Sequence, residues 1–418
     1  MLFFVINSCQ QKSNWNQYLG PTRNAVSEET GILRSWPEEG PEKLWEIKLG
    51  PGYGAASIFG DEVYVLDRVD EKEDILRCID FNSGKEKWSF SYNAEGEIPY
   101  PGSRTIPYVD KEFVWCVGPH GDFYCISKET QKQVWYHNLK NEFDAEMPQW
   151  GFSQSPLVYN DLVIVAPQGK KAGVVAFNKK TGELVWKSRA LTGMSFHSSP
   201  TLGNYGGVDQ VIMISPYNKK DSTQTHEVVA FDANTGQELW KYEGLKSFAT
   251  ITPPTIVDEK RLVFTDCSYN GNYNPVTILV EITKGENGFQ VKELFKTEET
   301  GCKMHPPILF ENHLYLNNNG RPNALTCLTM DGKMVWKKGS SANFEMGGII
   351  MIDGLLVCQN GKNGDIHLIE PSPEGYKELG KASFFSSDKS QAWAPLAFAQ
   401  GKLIVRDMEK MVCINLQK

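Results

Sequence analysis

What this 418-residue chain lacks excludes several classes of protein. It has no uninterrupted apolar run long enough for a membrane-spanning helix, which needs about 20 residues. It has no run of five or more lysines or arginines, and its formal net charge of −8 provides no basic surface for a phosphate backbone. We therefore expect neither a transmembrane helix nor a nucleic-acid partner.

Familiar motifs of catalysis and cofactor attachment are also absent. None of the 9 cysteines is adjacent to another, and no Cys-x-x-Cys-His sequence is present to attach a c-type haem. No zinc-protease, Walker or dinucleotide-binding motif occurs. The chain does contain 40% apolar and 11% aromatic residues, a composition that predicts a globular protein with a large core.

The first residues resemble the end of an export signal. Residues 1–6 are apolar, and they are followed by a polar stretch in which the small Ser8 precedes Cys9. This order is similar to the lipobox of bacterial lipoproteins, so residues 1–13 are interpreted as a signal remnant and linker with Cys9 as the lipidation site. The implied location is the cell envelope, in the periplasm or at the outer membrane. Because the apolar run is short and lacks a preceding basic residue, another exported form and a cytosolic protein also stay open.

One phrase recurs along the chain and indicates the architecture. From Cys78 it predicts a strand, a turn at Gly84 and a second strand that contains Trp88. Glycine supplies the positive φ that such a tight reversal needs. The echoes of this phrase contain Trp135, Trp186, Trp240 and Trp336. A second strand–turn–strand phrase, as at residues 57–65, precedes each echo, so every repeat predicts a four-stranded antiparallel sheet.

These repeats predict an all-β protein, an eight-bladed β-propeller of four-stranded antiparallel sheets. The innermost strands are expected to begin near Ser57, Pro107, Pro156, Pro200, Pro254, Pro307, Gly348 and Pro395. The last unit has three strands, whereas residues 43–49 form a lone strand with the signature of a fourth. We expect this N-terminal strand to complete the last blade and close the ring, which leaves no open edge. Residues 14–418 would then form one domain, and the protein would be a monomer.

The repeat resembles the tryptophan-docking motif of the pyrroloquinoline-quinone (PQQ) propeller superfamily. The phrase from Ala230 through Gly236 to Trp240 carries the likeness, which covers residues 14–418. Residues 14–24 and 30–37 resemble the head of the PQQ-binding-like branch, whose members are described as BamB-like or alcohol dehydrogenase-like. The resemblance implies the fold. It does not choose a function, because the same ring carries quinoprotein dehydrogenases and non-catalytic assembly scaffolds.

The cysteines follow the phase of the repeat. Four of them share one position of the third strand, where two other repeats have alanine; they are Cys78, Cys125, Cys327 and Cys413. A position shared by cysteine and alanine is typical of a small buried packing site. Equivalent positions in separate blades lie far apart, so we expect free buried thiols and no disulfides among them.

A binding site is expected at the mouth of the central channel, in the segments that lead into the innermost strands. Aligning those segments brings into register Tyr53, Arg104, Gln154, His197, Thr252, His305, Glu345 and Trp393, and Trp150 lies just upstream of one of them. The candidate ligand- or cofactor-binding residues are Tyr53, Arg104, Trp150, Gln154, His197, His305, Glu345 and Trp393. Arg104 would pair with a ligand carboxylate, Trp150 or Trp393 would stack on a flat ligand, and the histidines would act as bases near neutral pH. A funnel that is polar only because it faces water is the alternative. His120 and His226 are expected at the surface.

The resemblance also implies what a dehydrogenase would require. Quinoprotein dehydrogenases typically hold PQQ between a tryptophan and a disulfide of adjacent cysteines, beside Ca²⁺ and a catalytic aspartate. This chain has no adjacent cysteines, and the aligned positions offer one carboxylate, Glu345, where Ca²⁺ takes about six to eight oxygens. No catalytic residue and no metal ligand are therefore assigned.

We expect a non-catalytic binding or assembly module of the cell envelope, with protein partners or a small-molecule or carbohydrate ligand. Its contact with the membrane would be through a lipid anchor only. One alternative is a PQQ-dependent alcohol or polyol dehydrogenase, for which PQQ with Ca²⁺ would be the cofactor. Another is carbohydrate or polymer binding in the central funnel.

Overall fold

The computed structural model describes residues 12–193, 197–215, 226–245, 251–267, 274–318, 324–338, 343–385 and 391–418. Within these residues the chain forms β-strands numbered β1 to β33 and one short helix, α1 (Leu139–Glu142). No helix of this part of the chain is long and apolar enough to cross a membrane. Cys9, the expected lipidation site, lies outside the described residues.

The strands form the eight-bladed propeller that the repeats predict. The first four blades, from innermost to outermost strand, are β3 (Ser57–Phe59), β4 (Glu62–Val69), β5 (Glu73–Asp80) and β6 (Glu86–Asn93); β7 (Tyr108–Val109), β8 (Phe113–Val117), β9 (Asp122–Ser127) and β10 (Gln133–Asn138); β11 (Leu157–Tyr159), β12 (Leu162–Val165), β13 (Val175–Asn178) and β14 (Leu184–Lys187); β15 (Thr201–Tyr205), β16 (Val208–Ser215), β17 (Glu227–Asp232) and β18 (Glu238–Tyr242).

The other four blades follow the same order. They are β19 (Thr255–Ile256), β20 (Arg261–Asp266), β21 (Val276–Gly285) and β22 (Gly288–Thr297); β23 (Ile308–Phe310), β24 (His313–Asn318), β25 (Ala324–Thr329) and β26 (Met334–Lys338); β27 (Ile349–Ile352), β28 (Leu355–Gln359), β29 (Ile366–Glu370) and β30 (Lys377–Ala382); β31 (Ala397–Ala399), β32 (Lys402–Arg406), β33 (Lys410–Asn415) and β2 (Lys43–Lys48). Each innermost strand begins within two residues of its predicted start.

The last blade is closed by the N-terminal strand, as predicted. β2 pairs antiparallel with β33 and becomes the fourth strand of the sheet that β31 and β32 begin. In this register Trp45 faces Cys413. The ring is therefore joined by main-chain hydrogen bonds between the two ends of the domain, and no blade is left as an incomplete three-stranded sheet within the described residues.

The recurrent tryptophan docks four of the blades on the next one through its indole N–H, at Trp45, Trp135, Trp186 and Trp336. The indole Nε1 of Trp45 donates to the carbonyl of Phe81 in the following blade, at 2.9 Å. Gly84, with φ 70°, turns directly over this ring, and a Cβ there would lie only 2.8 Å from the indole. The same close approach joins Gly236 to Trp186. Glycine and tryptophan recur together because the turn needs a positive φ and the ring needs the space.

The eight described cysteines are free and buried. Cys78 lies opposite Trp88, and Cys413 lies opposite Trp45, so the third-strand cysteines pack under the outermost strand as expected. Burial raises the pKa of Cys78 and that of Cys413 to about 12. These thiols are protonated and shielded at neutral pH, and they behave as small apolar packing groups.

This environment predicts the reactivity of the thiols. In the native protein, iodoacetamide should label the eight described cysteines very slowly, because the thiolate is the reactive form. After denaturation without a reductant, mass spectrometry should find all eight alkylated. A disulfide-linked peptide that joins any two of Cys78, Cys125, Cys327 and Cys413 would contradict the assigned register.

An N-terminal segment, residues 15–27, runs through the central channel along the free edges of the innermost strands. Trp15 exchanges two main-chain hydrogen bonds with Ile58 of β3, at 2.9 and 2.8 Å. β1 (Val26–Ser27) adds parallel to β27 as a fifth strand. Arg23 reaches two further blades through its guanidinium, as described below. The sequence did not predict this path, which fills the channel beneath the expected site.

Candidate functional site

One cavity lies where the segments before the innermost strands converge, and it has about 880 Å³ of empty space, including its open mouth. Its polar and aromatic lining consists of Tyr18, Tyr53, Tyr100, Arg104, Trp150, Ser153, Ser155, His197, Ser199, Lys303, His305 and Trp393. Its apolar lining consists of Ile106, Ile251, Met304, Met346 and Pro395. This mixture of a largely apolar and aromatic wall with a few polar groups is typical of a pocket for a small organic ligand.

Six of the eight candidate residues line this cavity. They are Tyr53, Arg104, Trp150, His197, His305 and Trp393. The structure thus brings together side chains from separate blades at one end of the ring. Ligand binding by these six residues remains a prediction.

Gln154 and Glu345 are not part of the lining. Gln154 is buried between Ser153 and Ser155, which both face the cavity. Successive side chains of extended backbone point to opposite sides, so the register alignment selected the wrong member of this triplet. Glu345 has a left-handed backbone, φ 48°, and its carboxylate accepts from Asn343 Nδ2 at 3.1 Å. Glu345 is thus held in a turn with Asn343, next to the lining residue Met346.

Aromatic rings form a continuous belt around the cavity, made of Tyr53, Trp393, Tyr100, Trp150 and His197. Tyr53 stacks on Trp393 with ring centroids 5.1 Å apart, and Tyr100 lies 6.0 Å from Trp393. Tyr100 meets Trp150 edge to face at 6.5 Å, and Trp150 stacks on His197 at 5.0 Å. The hydroxyl of Tyr53 donates to Gln391 Oε1 at 2.8 Å. Each ring of this aromatic belt is thus supported by a neighbour, which limits its rotation.

Arg104 lies against the aromatic belt, with its guanidinium carbon 5.2 Å from the centre of the Tyr53 ring. Its Nη1 donates to the carbonyl of Gly102 at 2.9 Å, and its Nη2 donates to the carbonyls of Pro99 and Tyr100. Burial lowers the pKa of Arg104 to about 10, so it stays charged at neutral pH. The sequence analysis predicts that Arg104 pairs with a carboxylate of a ligand. In the structure, its guanidinium is hydrogen-bonded to main-chain carbonyls of its own loop. Arg104 therefore holds its own loop and places a positive charge beside the cavity.

The two cavity histidines are neutral at physiological pH. His197 accepts or donates a hydrogen bond at Nδ1 with the hydroxyl of Ser153, and burial, helped by the charge of Arg104, lowers its pKa to about 3. Burial lowers the pKa of His305 to about 4, while its Nε2 bonds to the carbonyl of Met346 at 3.2 Å. The expectation that these side chains act as bases near neutral pH does not fit, because imidazoles with such low pKa values bind protons weakly.

The N-terminal segment forms the floor of the cavity. Tyr18 is part of the lining, and the guanidinium carbon of Arg23 lies 5.7 Å from the centre of its ring. Arg23 donates to the carbonyl of Pro200 at 2.9 Å and to that of Pro156 at 3.2 Å. Burial lowers the pKa of Arg23 to about 10, which leaves it charged at neutral pH. Tyr18 therefore contributes an aromatic ring to the cavity lining, and the charge of Arg23 lies behind that ring.

Several lining residues were missed by sequence reasoning. Ser155 and Ser199 could have been found, because each lies two residues beyond another lining residue in an extended segment. Tyr18 and Tyr100 carry no such signal, since both lie in segments that do not repeat. Lys303 directly precedes the Met304-His305 pair, and only the fold shows that it reaches the same cavity.

The charge of the cavity is opposite to that of the whole chain. Its described lining contains Arg104 and Lys303 and no aspartate or glutamate. Among the described residues, no group of three or more histidines, cysteines or acidic residues could hold a metal ion. In a chain with a net charge of −8, this local excess of positive charge favours an anionic ligand over a metal cation.

The sequence profile of a family described as outer membrane protein assembly factor BamB matches residues 71–338, which is more than half of the chain. The chain belongs to this family. Among curated proteins, quinoprotein ethanol dehydrogenase of Pseudomonas aeruginosa is 24% identical over 156 residues, which are 37% of this chain and 24% of that protein. Quinoprotein alcohol dehydrogenase PedH of Pseudomonas putida is 21% identical over 159 residues, 35% of this chain and 26% of that protein. These matches span about a quarter of the relatives' length.

Solved structures share the fold. BamB from Moraxella catarrhalis superposes with a TM-score of 0.61 at 14% identity, over 90% of this chain and 99% of that chain. Quinohemoprotein alcohol dehydrogenase from Comamonas testosteroni superposes with a TM-score of 0.66 at 12% identity, over 98% of this chain and 81% of that chain. Identities this low establish the propeller and leave its function to the site.

Proposed function

We propose that this member of the BamB-like propeller family is a non-catalytic binding module of the bacterial cell envelope, with the cavity as its ligand site. The observation that carries the proposal is the cavity, in which an aromatic belt and partly buried cations converge from separate blades. The description of the family as an outer membrane protein assembly factor supports the envelope location and a role beside protein partners.

The lining favours a flat, anionic ligand. The faces of Trp150 and Trp393 offer stacking surfaces, and the edge of Tyr100 closes the mouth between them. Arg104 and Lys303 at the wall and Arg23 beneath the floor attract negative charge, and no carboxylate of the described lining opposes them. A flat ring with a carboxylate or sulfonate would use both properties.

A PQQ-dependent dehydrogenase is the alternative that the curated relatives suggest. PQQ is a flat organic anion, and the aromatic and cationic lining fits that part of the cofactor. Ca²⁺ does not fit, because it takes about six to eight oxygen ligands and prefers carboxylates, whereas the described lining offers none and carries two cations. The described residues thus do not fit PQQ with its calcium ion, and we derive no oxidation step for this chain.

A pair of matched probes tests the ligand class. By isothermal calorimetry, 2-naphthoate should bind the cavity, and the uncharged 2-naphthamide should bind at least about tenfold more weakly, since one lost charge interaction is worth roughly 1.5–3 kcal/mol. Trp393→Ala should weaken naphthoate binding by about tenfold, because stacking contributes about 0.5–1.5 kcal/mol beyond the buried area. Tyr136→Ser, on the outer face of β10, is the matched control and should leave the affinity unchanged.

Two results would count against the proposal. Equal affinities for the naphthoate and the naphthamide would exclude an anion-selective cavity and would favour the neutral, carbohydrate-type ligand. PQQ binding that requires Ca²⁺ would favour the dehydrogenase alternative.

A further inference from the structure

Loop 94–104 carries two side chains of the cavity, Tyr100 and Arg104, between β6 and β7. Tyr100 is 50% exposed and stands at the mouth, where its ring reaches both Trp150 and Trp393. It lies between two prolines and has a left-handed backbone, φ 61°. A non-glycine residue keeps this conformation only where the surroundings impose it. The position of Tyr100 therefore depends on what holds the loop.

Arg68 holds the first half of this loop from a buried position outside the cavity lining. Its side chain is 1% exposed, and its Nη2 donates to the carbonyls of Ala94 at 2.8 Å and Gly96 at 2.7 Å. Its Nη1 donates to Asp74 Oδ1 at 2.7 Å. Arg104 binds the carbonyls of the second half, so two guanidinium groups replace the sheet partners that the loop lacks.

His120 adds to the same anchor, although the sequence predicted a surface residue. The Nε2 of His120 lies 3.2 Å from Arg68 Nη2. Its ring also packs tightly on Gly96, since a Cβ added to that glycine would lie only 3.0 Å from the imidazole. Burial and the charge of Arg68 lower the pKa of His120, which favours the neutral ring. Its Nε2 also lies 3.3 Å from the carbonyl of Gly96, the loop carbonyl that Arg68 binds. One side of the Arg68 guanidinium holds the loop. Asp74 and His120 contact its other sides and orient it.

We propose that Arg68 is the positioning residue for the cavity mouth: by binding the Ala94 and Gly96 carbonyls it sets where Tyr100 closes over the ligand. The inference rests on the proposed function of the cavity as a ligand site. Arg68 does not line the cavity, so its effect on a ligand is expected only through the loop.

Hydrogen exchange tests the positioning directly. The amides of Ala94 and Gly96 donate to the carbonyls of Lys72 and Glu71, so the loop has protection that can be lost. Arg68→Lys keeps the charge beside Asp74 but removes the fork, and exchange in residues 94–104 should rise about tenfold, the equivalent of one charged hydrogen bond. Arg77→Lys is the matched control. Arg77 pairs with Asp67 and Glu86 in the same blade, away from the loop.

Ligand binding tests whether Arg68 acts through Tyr100. Arg68→Lys should weaken 2-naphthoate binding about tenfold in the wild-type background and change it less than twofold when Tyr100→Ala is already present, since residues that act as one unit are not additive. A purely structural role would lower the affinity equally in both backgrounds. If Arg68→Lys does not fold, the double variant Arg68→Met with Asp74→Asn removes both buried charges and carries the same test.

The outcomes separate this inference from the proposed function. Faster exchange confined to residues 94–104 supports the positioning role even if naphthoate does not bind, which would reject only the ligand proposal. Unchanged exchange in this loop, or a uniform increase across the whole blade, overturns the role of Arg68. Equal loss of affinity with and without the Tyr100 side chain overturns it as well.

Discussion

Deletion of residues 1–50 is expected to abolish the native fold. The deletion removes β2, the fourth strand of the last blade, and the segment 15–27 that pairs with the innermost strands of other blades. It exposes the edge of β33 and empties the channel. Both losses disrupt the closure of the ring. Size-exclusion chromatography should therefore show an unfolded or aggregated chain, and circular dichroism should show no cooperative thermal transition.

Shorter changes divide this effect into its parts. Among the described contacts, deletion of residues 1–13 removes the ion pair of Lys12 with Asp61 and the hydrogen bonds of Ser13 with Glu29 and Gln400. The Tm should stay within a few degrees of that of the intact protein. Trp45→Ala in the intact chain should cost about 3–5 kcal/mol, the usual loss for a buried tryptophan. A deletion of residues 1–50 that melts like the full chain would show that β2 does not close the ring.

Acidification is expected to produce the second large effect, a loss of stability between about pH 6.5 and pH 4. Burial lowers the pKa of His197 to about 3 and that of His305 to about 4. The unfolded chain takes up these protons near pH 6.5, whereas the folded chain takes them up only at much lower pH. Within this window the unfolded state binds more protons, so the free energy of unfolding rises with pH. From pH 7.5 to pH 5, each histidine should cost about 2 kcal/mol.

Substitution of each histidine checks the source of the effect. His305→Asn should lower the stability at pH 7.5 and also flatten its decline toward pH 5, as measured by urea unfolding at several pH values. His313→Gln, at the start of β24 and outside the cavity, is the control and should leave the pH dependence unchanged. Burial raises the pKa of Asp74, which acts in the opposite sense and reduces the net slope. A decline that persists in full in both cavity variants would reject this explanation.

The repeat made most of the architecture predictable. Short-range patterns specify a hairpin, and the recurrence of Gly84 and Trp88 and their echoes specifies how one hairpin packs on the next. Counting these units predicted eight blades and the closing role of residues 43–49, and both are confirmed. The phase of Cys78 and its counterparts likewise predicted free, buried thiols, as the structure has them. These features depend on neighbours within one repeat or on the adjoining blade.

The candidate site was predictable only where it follows the repeat. Tyr53, Arg104, Trp150, His197, His305 and Trp393 occupy equivalent segments before the innermost strands, so alignment found them. Gln154 was chosen in place of its neighbours because an alignment does not resolve which of two alternating side chains faces the axis. Glu345 lies outside the lining because it is held in a local turn with a left-handed backbone, which the alignment does not reveal.

The sequence by itself therefore determined the ring, its closing strand and the end at which a site would form. The tertiary structure alone decided that residues 15–27 fill the channel, that Tyr100 stands at the mouth of the cavity and that the cavity histidines are neutral. The physical reason is that these properties depend on what the finished ring leaves available: free inner edges for Trp15, carbonyls from two blades for Arg23, and a dry environment around His305. None of these exists until all eight blades have assembled, so no local pattern encodes them.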